Sequence, residues 1–299
     1  MKALGLLLVL VLFWVFGYTI NSEPKVRIIT TEKGLSNNIV YGIVQDKLGF
    51  MWFATEDGLN RYDGNTFTTF RHDSDNKYSI SDNFVQAIYC DENNDIWIAT
   101  DDGLNWYDYD KERFISYFHD SKNAFSISNN DIIAVTPSRD GNLWVASYRG
   151  GINYLNKKTH KFYYIKGLFN SSKSSEYHKV LCILEDRNGI LWVGTQGNGL
   201  YAYNVAKKTS TRYLVNSRGP VSIPSNEIRS IYQDADDNIW IGTAKGVIIY
   251  HTKSKQFQAI PQLKNIDNRV IHSIQGDSEG WLWIGTDDGI VKFNLKKYW

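Results

Sequence analysis

The sequence has 299 residues, of which 22% are charged, and its formal net charge is +1. This near balance argues against nucleic-acid binding and against adsorption to an anionic membrane surface, because both need concentrated positive charge. Aromatic residues make up 14% of the chain, including 19 Tyr and 14 Phe, a composition that suits strands better than helices.

Residues 1–22 are predicted to be a signal peptide or an N-terminal membrane anchor. Lys2 precedes an apolar run from Ala3 to Phe16, and a positive start with an apolar core is typical of export signals. No small-residue cleavage site is obvious, and the run is almost long enough to cross a bilayer, so both readings stay open. Residues 23–299 are therefore expected to form one periplasmic or otherwise extracytoplasmic domain.

A tryptophan recurs at nearly constant spacing through this domain. The spacings are 45, 47, 48, 48 and 43 residues, and the tryptophans are Trp52, Trp97, Trp144, Trp192, Trp240 and Trp283. A period of this length indicates a repeat architecture. The six repeats are expected at about residues 34–70, 79–117, 126–165, 176–213, 222–260 and 266–299.

Each repeat carries the same turn and strand signals around its tryptophan. Asp, or Ser in the third repeat, stands six residues before Trp, and Gly, Asn or Asp stands three before it. A small residue and then a hydroxyl residue follow Trp, and a glycine comes six or seven residues after it. An aspartate that caps its own turn, followed by a residue that can adopt positive φ, is typical of a turn between two strands. Four short strands per repeat follow from these turns.

These four-stranded units predict an all-β fold, a β-propeller of antiparallel four-stranded blades. A β-sandwich is the alternative, but a sandwich sheet with one wet face would alternate apolar and polar residues. The residues on both sides of each repeat tryptophan are apolar, as Ile96 and Ile98 are around Trp97. Since adjacent strand residues point to opposite faces, both faces of this strand are dry.

The strings "DxxGxxWxGTxxGLxxYD", "SISDN" and "SISNN" resemble the two-component regulator propeller repeat. The resemblance covers residues 25 to 294 approximately and implies the periplasmic sensor region of Bacteroidetes-type hybrid two-component systems. Such sensors detect mainly oligosaccharides from complex glycans. They normally continue through a second propeller, a β-sandwich domain, a membrane helix, a kinase and a DNA-binding regulator. No kinase or receiver motif occurs here, so a truncated or partial sensor is expected.

The number of blades in the ring is left between two alternatives. The sixth repeat lacks a fourth strand, whereas residues 25–38 match a fourth strand and its following loop with no strands before them. Pairing the two would close a six-bladed ring and protect its edge. The other alternative is an interrupted ring of seven blades with an open edge.

Candidate ligand-binding residues lie where the loops of the third and fourth repeats depart from the common pattern. These loops exchange acidic residues for groups that can stack on sugars and hydrogen-bond them. The candidates are Tyr148, Arg149, Gln196, Asn198, Tyr177 and His178. The expected ligand is an oligosaccharide or another small molecule. Expected protein partners are a second propeller, a kinase subunit or a second copy of the chain.

The alternative function is a propeller-fold polysaccharide lyase or glycoside hydrolase. It would need convergent carboxylates, and the candidates are Asp101–Asp102 and Asp287–Asp288. Because both pairs occupy the same turn position in separate repeats, a shared turn explains them better. His72 and His119 are also equivalent to each other. No nucleophile motif is present, and the non-enzymatic reading is favoured.

No cofactor, metal site or disulfide is predicted. Asp234, Asp236 and Asp237 faintly resemble a calcium loop, but no bidentate Glu follows at the required position, so a turn is expected. Cys90 and Cys182 lie in the second and fourth repeats, which are not neighbours. A disulfide needs Cα atoms within about 7 Å of each other, so two free thiols are expected.

Overall fold

The computed structural model describes residues 28–169, 179–216 and 222–297. Within these ranges, 23 strands form six antiparallel sheets that follow one another along the chain. Helical structure there is limited to the short 3-10 segments Thr31–Lys33, Pro261–Ile266 and Leu295–Lys297. None of the described helices is long and apolar enough to cross a membrane.

Each sheet is one propeller blade whose strands are paired in sequence order. Blade 1 contains β1 (Val40–Gln45), β2 (Met51–Thr55), β3 (Gly58–Tyr62) and β4 (Phe67–Phe70), and blade 2 contains β5 (Val85–Cys90), β6 (Ile96–Thr100), β7 (Gly103–Asp108) and β8 (Arg113–Tyr117). Blade 3 contains β9 (Ile132–Pro137), β10 (Leu143–Ser147), β11 (Gly151–Asn156) and β12 (Lys161–Tyr164), and blade 4 contains β13 (Val180–Glu185), β14 (Ile190–Thr195), β15 (Leu200–Asn204) and β16 (Thr209–Tyr213). Blade 5 contains β17 (Ile228–Gln233), β18 (Ile239–Thr243), β19 (Gly246–His251) and β20 (Gln256–Ala259), and blade 6 contains β21 (Ile271–Gly276), β22 (Trp281–Thr286) and β23 (Gly289–Asn294).

The blades stack face to face around an axis lined by their first strands. Contacts between first strands run in order from β1 to β5, β9, β13, β17 and β21. Every residue of β6, β10 and β18 is buried, so these tryptophan strands are dry on both faces. This pattern confirms the propeller prediction, because a sheet is covered on both sides only when it lies between two others.

The repeated aspartate holds both its turn and its tryptophan. Asp46 Oδ1 accepts hydrogen bonds from the backbone N–H groups of Leu48 and Phe50, and Asp46 Oδ2 accepts one from Trp52 Nε1 at 2.7 Å. The same indole bond recurs in Asp186–Trp192, Asp234–Trp240 and Asp277–Trp283. The sequence predicts the turn but not this indole bond, which fixes the tryptophan in one orientation.

Aromatic contacts then join each blade to the one before it. The ring of Tyr107 in blade 2 lies 5.3 Å from that of Trp52 in blade 1. Tyr250 and Phe293 lie 5.1 Å and 5.8 Å from the tryptophans of their preceding blades. The apolar core is therefore a series of layers between blades, and each layer contains residues from two repeats.

The prediction that residues 25–38 supply the fourth strand of blade 6 is wrong for the part of this segment that the structure describes. Blade 6 has three strands, and residues 28–38 form irregular backbone around one 3-10 turn. Leu35 is buried against Phe53 and Tyr62 of blade 1. The backbone N–H of Ser36 donates to Asn60 Oδ1 of the same blade. These contacts hold the segment as the entering loop of blade 1 and keep it away from blade 6. Residues 25–27 lie outside the described residues.

The interface that would join blade 6 to blade 1 is not formed like the other five. Trp283 is 37% exposed, whereas the other five repeat tryptophans are at most 2% exposed. Ile290 of blade 6 is 74% exposed, and Ile43 of blade 1 is 55% exposed. Among the described strands, extensive contacts join each blade to the next from blade 1 to blade 6, but none of comparable extent joins blade 6 back to blade 1. The six blades therefore form an arc with a seam, and the closed six-bladed ring is not observed.

Candidate functional site

Loops on one face of the propeller connect each blade to the next. The glycine that begins a third strand donates its backbone N–H to a carbonyl in the entering loop of the following blade. These bonds are Gly58–Asn83, Gly103–Asn130, Gly199–Asn226 and Gly246–Arg269, with distances from 2.6 to 2.8 Å. The entering loops and the loops between second and third strands therefore share one face, which we call the loop face.

A cavity of about 520 Å³ opens on the loop face at the propeller axis. Each blade contributes to its wall the first-strand residue that stands eleven residues before the repeat tryptophan: Tyr41, Gln86, Ile133, Leu181, Arg229 and His272. Blade 2 also contributes Ala87. Asp101, Asp131 and Tyr148 also line the cavity. Since the six equivalent positions carry six different side chains, the cavity is chemically asymmetric although the blades are alike.

In blades 1 and 2 the first-strand residue donates a hydrogen bond to a loop carboxylate. Tyr41 Oη donates to Glu56 Oε1 at 2.8 Å, and Gln86 Nε2 donates to Asp101 Oδ1 at 2.6 Å. Burial, reinforced by the hydrogen bond to Glu56, raises the pKa of Tyr41 to about 12. The phenol is therefore a neutral donor to the Glu56 carboxylate.

Asp131 stands at the start of blade 3 next to Asp101. Burial first, and then the charge of Asp101, raises the pKa of Asp131 above its usual value, while the charge of Arg149 opposes this increase. A carboxylate that is partly desolvated beside a like charge binds a proton or a cation more readily than an exposed one. This part of the cavity therefore favours positive or hydrogen-bond-donating groups.

Three of the residues predicted from loop variation form one cluster at the cavity. Tyr148 Oη donates to Gln196 Oε1 at 2.9 Å, which links the loops of blades 3 and 4. The guanidinium carbon of Arg149 lies 5.7 Å from the centre of the Tyr148 ring, and Lys179 Nζ lies 5.5 Å from it. Of the predicted residues, Tyr148 itself contributes to the cavity wall.

Asn198 is directed away from this cluster. Its backbone oxygen accepts a hydrogen bond from Arg212 Nε at 2.8 Å, and its Oδ1 accepts one from Arg212 Nη2. Because Arg212 belongs to the outermost strand of blade 4, Asn198 supports the rim of that blade. The placement of Asn198 in the ligand patch is therefore not supported by its contacts. Tyr177 and His178 lie outside the described residues.

The carboxylate pairs and histidines noted in the sequence have separate contacts. Asp102 Oδ1 accepts from Asn130 Nδ2, whereas Asp288 forms an ion pair with Arg269 of its own blade. His72 Nδ1 and His119 Nδ1 each bond a backbone carbonyl, that of Ile80 and that of Ile127. The two pairs do not converge, and the histidines occupy the same place in successive loops.

The aspartates that resemble a calcium loop form the expected turn. Asp234 Oδ1 accepts from the backbone N–H groups of Asp236 and Asn238, and Asp234 Oδ2 accepts from Trp240 Nε1. No group of three or more potential metal ligands occurs among the described residues. Cys90 and Cys182 are free thiols, and burial raises the pKa of both.

A second cavity, of about 410 Å³, lies between blades 3 and 4 on the opposite face. Trp144, Tyr154 and Tyr203 contribute aromatic walls to it. Two carboxylates line it. Asp140 accepts a hydrogen bond from the hydroxyl of Tyr154, and Glu185 accepts hydrogen bonds from Trp144 Nε1 at 2.7 Å and from the hydroxyl of Ser138. Ser138 replaces the repeated aspartate, so Glu185 of the next blade takes over the indole bond. Both carboxylates thus have structural partners, and the loop-face cavity is the stronger candidate.

The sequence-based candidates did not include the ring of first-strand residues, because those candidates came from variation in loops and these residues lie in regular strands. A signal was nevertheless present in the sequence. The position eleven residues before Trp carries Tyr, Gln, Ile, Leu, Arg and His, while the position next to it holds only small residues from Gly42 to Ser273. Aligning the six repeats by their tryptophans therefore exposes the site without a structure.

The fold and the loop-face cavity define a repeat β-propeller with a polar pocket at its axis. The two-component regulator propeller family matches all six repeats, at residues 34–57, 79–102, 126–149, 175–197, 222–245 and 265–288. The chain therefore belongs to the two-component regulator propeller proteins.

Comparison with solved structures and curated proteins agrees with this assignment. The extracellular domain described for the hybrid two component system BT3049 of B. thetaiotaomicron is 34% identical, with a TM-score of 0.78 over 91% of this chain and 36% of that one. Histidine kinase P4 of Formosa agariphila is 42% identical over 60 residues, which is 20% of this chain and 4% of the kinase. This chain thus spans little more than a third of the first relative and a small part of the second.

Virginiamycin B lyase of Staphylococcus aureus shares the fold at 14% identity, with a TM-score of 0.59 over 86% of this chain and 84% of the lyase. At this identity the likeness shows the propeller architecture alone, because one fold supports many unrelated functions.

Proposed function

We propose that this chain is an extracytoplasmic ligand-sensing propeller that binds glycan-derived oligosaccharides at the loop-face cavity. The observation that carries the proposal is the ring of six equivalent positions, each with a different side chain, around one cavity. A structural position would repeat its residue from blade to blade, as the tryptophan does. Six different side chains are what recognition of one asymmetric molecule requires.

The chemistry of the cavity suits a saccharide. Tyr148 offers an aromatic ring, Ile133 and Leu181 offer apolar walls, and the carboxylates of Asp101 and Asp131 can accept hydrogen bonds from hydroxyl groups. Small-molecule sites commonly combine apolar walls with a few well-placed polar groups in a volume of about 300–1,000 Å³. The similarity to the extracellular domain of BT3049 supports a sensing role outside the cytoplasm.

The signal would leave this chain through another protein unit. The relative BT3049 is described as part of a hybrid two component system, and this chain matches 36% of its solved domain. We therefore propose a second propeller, a kinase subunit or a second copy of the chain as the partner that transmits binding, and residues 1–22 as the export signal or anchor.

A thermal-shift screen of the purified chain against glycan oligosaccharides tests the proposal. We expect at least one oligosaccharide to raise the melting temperature, and the double substitution Tyr148→Ala and Arg149→Ala to abolish the rise. The matched control is Tyr78→Ala, since Tyr78 is a partly exposed tyrosine in the loop before blade 2 and lines neither cavity. Equal binding by the double variant would place the ligand elsewhere.

The enzymatic alternative predicts that the chain releases products from polysaccharides, whereas the sensing proposal predicts that it does not. We therefore expect no release of reducing ends or unsaturated products when the chain is incubated with a broad set of polysaccharides. Reproducible product release that is lost on Asp101→Asn or Asp131→Asn would show catalysis and replace the sensing proposal.

A further inference from the structure

We propose that the loop-face cavity selects a zwitterionic saccharide, with its ammonium group toward blades 1–3 and its anionic group toward blades 4–6. This inference rests on the proposed function, because it specifies the ligand of the same site. It follows from the way charge is divided around the cavity and from the contacts that each charged group already makes.

Blades 1–3 supply the negative side. Glu56, Asp101 and Asp131 stand on three consecutive blades, and Asp101 influences the ionisation of both Tyr41 and Asp131. The hydrogen bonds of Glu56 and Asp101 come from neutral donors, Tyr41 and Gln86, which supply no compensating charge. Arg149 is the cation that acts on Asp131, but its guanidinium lies over the Tyr148 ring.

Blades 4–6 supply the positive side. Arg229 of blade 5 lines the cavity with a guanidinium, His272 of blade 6 lines it with an imidazole that can donate a hydrogen bond, and Lys179 of blade 4 lies near the Tyr148 ring. Arg229 Nη2 is paired with Glu227, yet its side chain remains 36% exposed. A guanidinium has five donor hydrogens, so one ion pair leaves capacity for a second anionic group.

A dipolar ligand fits this division better than a ligand with one charge. An anionic saccharide would gain from Arg229 and His272 but would face Asp101 and Asp131 in the same cavity, where like charges repel in a medium less polar than water. A cationic saccharide would be attracted by Asp101 and Asp131 but repelled by Arg229. A zwitterion satisfies both sides, and the two charges also fix its orientation between blades.

Four related monosaccharides carry the two charges in all four combinations. Muramic acid carries an amine and a carboxylate, N-acetylmuramic acid keeps only the carboxylate, glucosamine keeps only the amine, and glucose has neither. Isothermal titration of the full chain at about pH 6, where an amino group is protonated, gives the four affinities. We expect muramic acid to bind at least about tenfold more tightly than either singly charged sugar, as expected for one charge-assisted hydrogen bond.

Substitutions at two cavity residues test which side of the cavity binds the ammonium group and which binds the carboxylate. Asp131→Asn should weaken muramic acid by about tenfold and leave N-acetylmuramic acid unchanged, because only the former presents an ammonium group. Arg229→Gln should weaken both carboxylate-bearing sugars and leave glucosamine unchanged, and Arg229→Lys should restore part of the loss. Asp75→Asn is the control, because Asp75 is exposed in the loop before blade 2.

The outcomes distinguish this inference from the proposed function. If glucose or neutral oligosaccharides bind as tightly as muramic acid, the cavity binds saccharides but does not select a zwitterion, and the inference is wrong. If glucosamine and N-acetylmuramic acid each bind as tightly as muramic acid, the cavity recognises one charge and not the pair, and the inference is also wrong. If no saccharide of any kind binds, the proposed function fails as well.

Discussion

The interface between blades 1 and 2 and the seam between blades 6 and 1 contain the same repeat residues in different surroundings. Trp52 is fully buried and Trp283 is 37% exposed, although each indole donates to the aspartate six residues earlier. Leu59 is fully buried in the layer between blades 1 and 2, whereas Ile290 at the equivalent position is 74% exposed. The motif therefore specifies a local conformation, whereas burial comes from the neighbouring blade.

Tryptophan truncation should show the largest difference between the two regions. We expect Trp52→Ala to lower the free energy of unfolding by about 3–5 kcal/mol, because Trp52 is fully buried and its removal leaves a cavity. Trp283→Ala should cost about 1–2 kcal/mol, because part of its surface is already in water. Urea unfolding followed by circular dichroism measures both. Equal losses would contradict the seam, since they would require Trp283 to be covered in solution.

A polar substitution at the residue after the third-strand glycine gives a smaller contrast. Leu59→Asn should cost about 3 kcal/mol, because it removes buried apolar surface and places an amide in the apolar layer between blades 1 and 2. Ile290→Asn should stay within about 0.5 kcal/mol, as exposed substitutions usually do. The comparison uses melting temperatures at one protein concentration. A strong loss for Ile290→Asn would indicate that the surface of blade 6 is covered.

Glycine-to-alanine changes test the absent fourth strand of blade 6. A Cβ at Gly199 would lie 2.2 Å from the backbone oxygen of Tyr213 in the fourth strand, whereas a Cβ at Gly289 meets nothing within 4 Å. Both glycines have positive φ, which costs an alanine roughly 1–2 kcal/mol. Gly289→Ala should show this cost alone, and Gly199→Ala should show more because the fourth strand must move. Equal costs would mean that a strand packs on Gly289.

The smallest effect concerns the pKa of Asp277. The Trp283 indole first, and then the backbone N–H of Trp281, lowers this pKa below its usual value of 3.8. A carboxyl with a depressed pKa in the folded state contributes stability above its unfolded pKa and loses it as the pH falls through the folded pKa. Trp283→Phe should raise the pKa of Asp277 toward 3.8 in an NMR titration. An unchanged pKa would mean that the indole bond does not form at the seam.

The fold could be predicted from the sequence because its signals are local. The tryptophan period, the Asp and Gly turns and the dry tryptophan strand define the blade before any contact is known. The seam could not be predicted in the same way, because ring closure depends on the angle between blades and not on counting strands. Leu35 and Ser36 also have local partners in blade 1, which compete with pairing to blade 6.

The candidate site was predictable only in part. Tyr148 and Gln196 could be found from loop variation, and the structure brings them within hydrogen-bond distance. Asn198 showed the same variation, but the position of Arg212 decides where its side chain is held, and that position depends on a distant strand. Arg229 and His272 lie in regular strands, so their role depends on how six repeats converge at one axis.

The seam gives the cavity a mechanical property. Tyr41 belongs to the first blade and His272 to the last, so these two wall residues lie on opposite ends of the arc. Contacts between successive blades set the curvature of the arc, whereas among the described strands no contacts of comparable extent join its two ends. A ligand that contacts both residues would fix the distance between the two ends of the arc. Because each blade is one hydrogen-bonded sheet, a fixed distance at the axis would also fix the distance between the outer strands of blades 1 and 6.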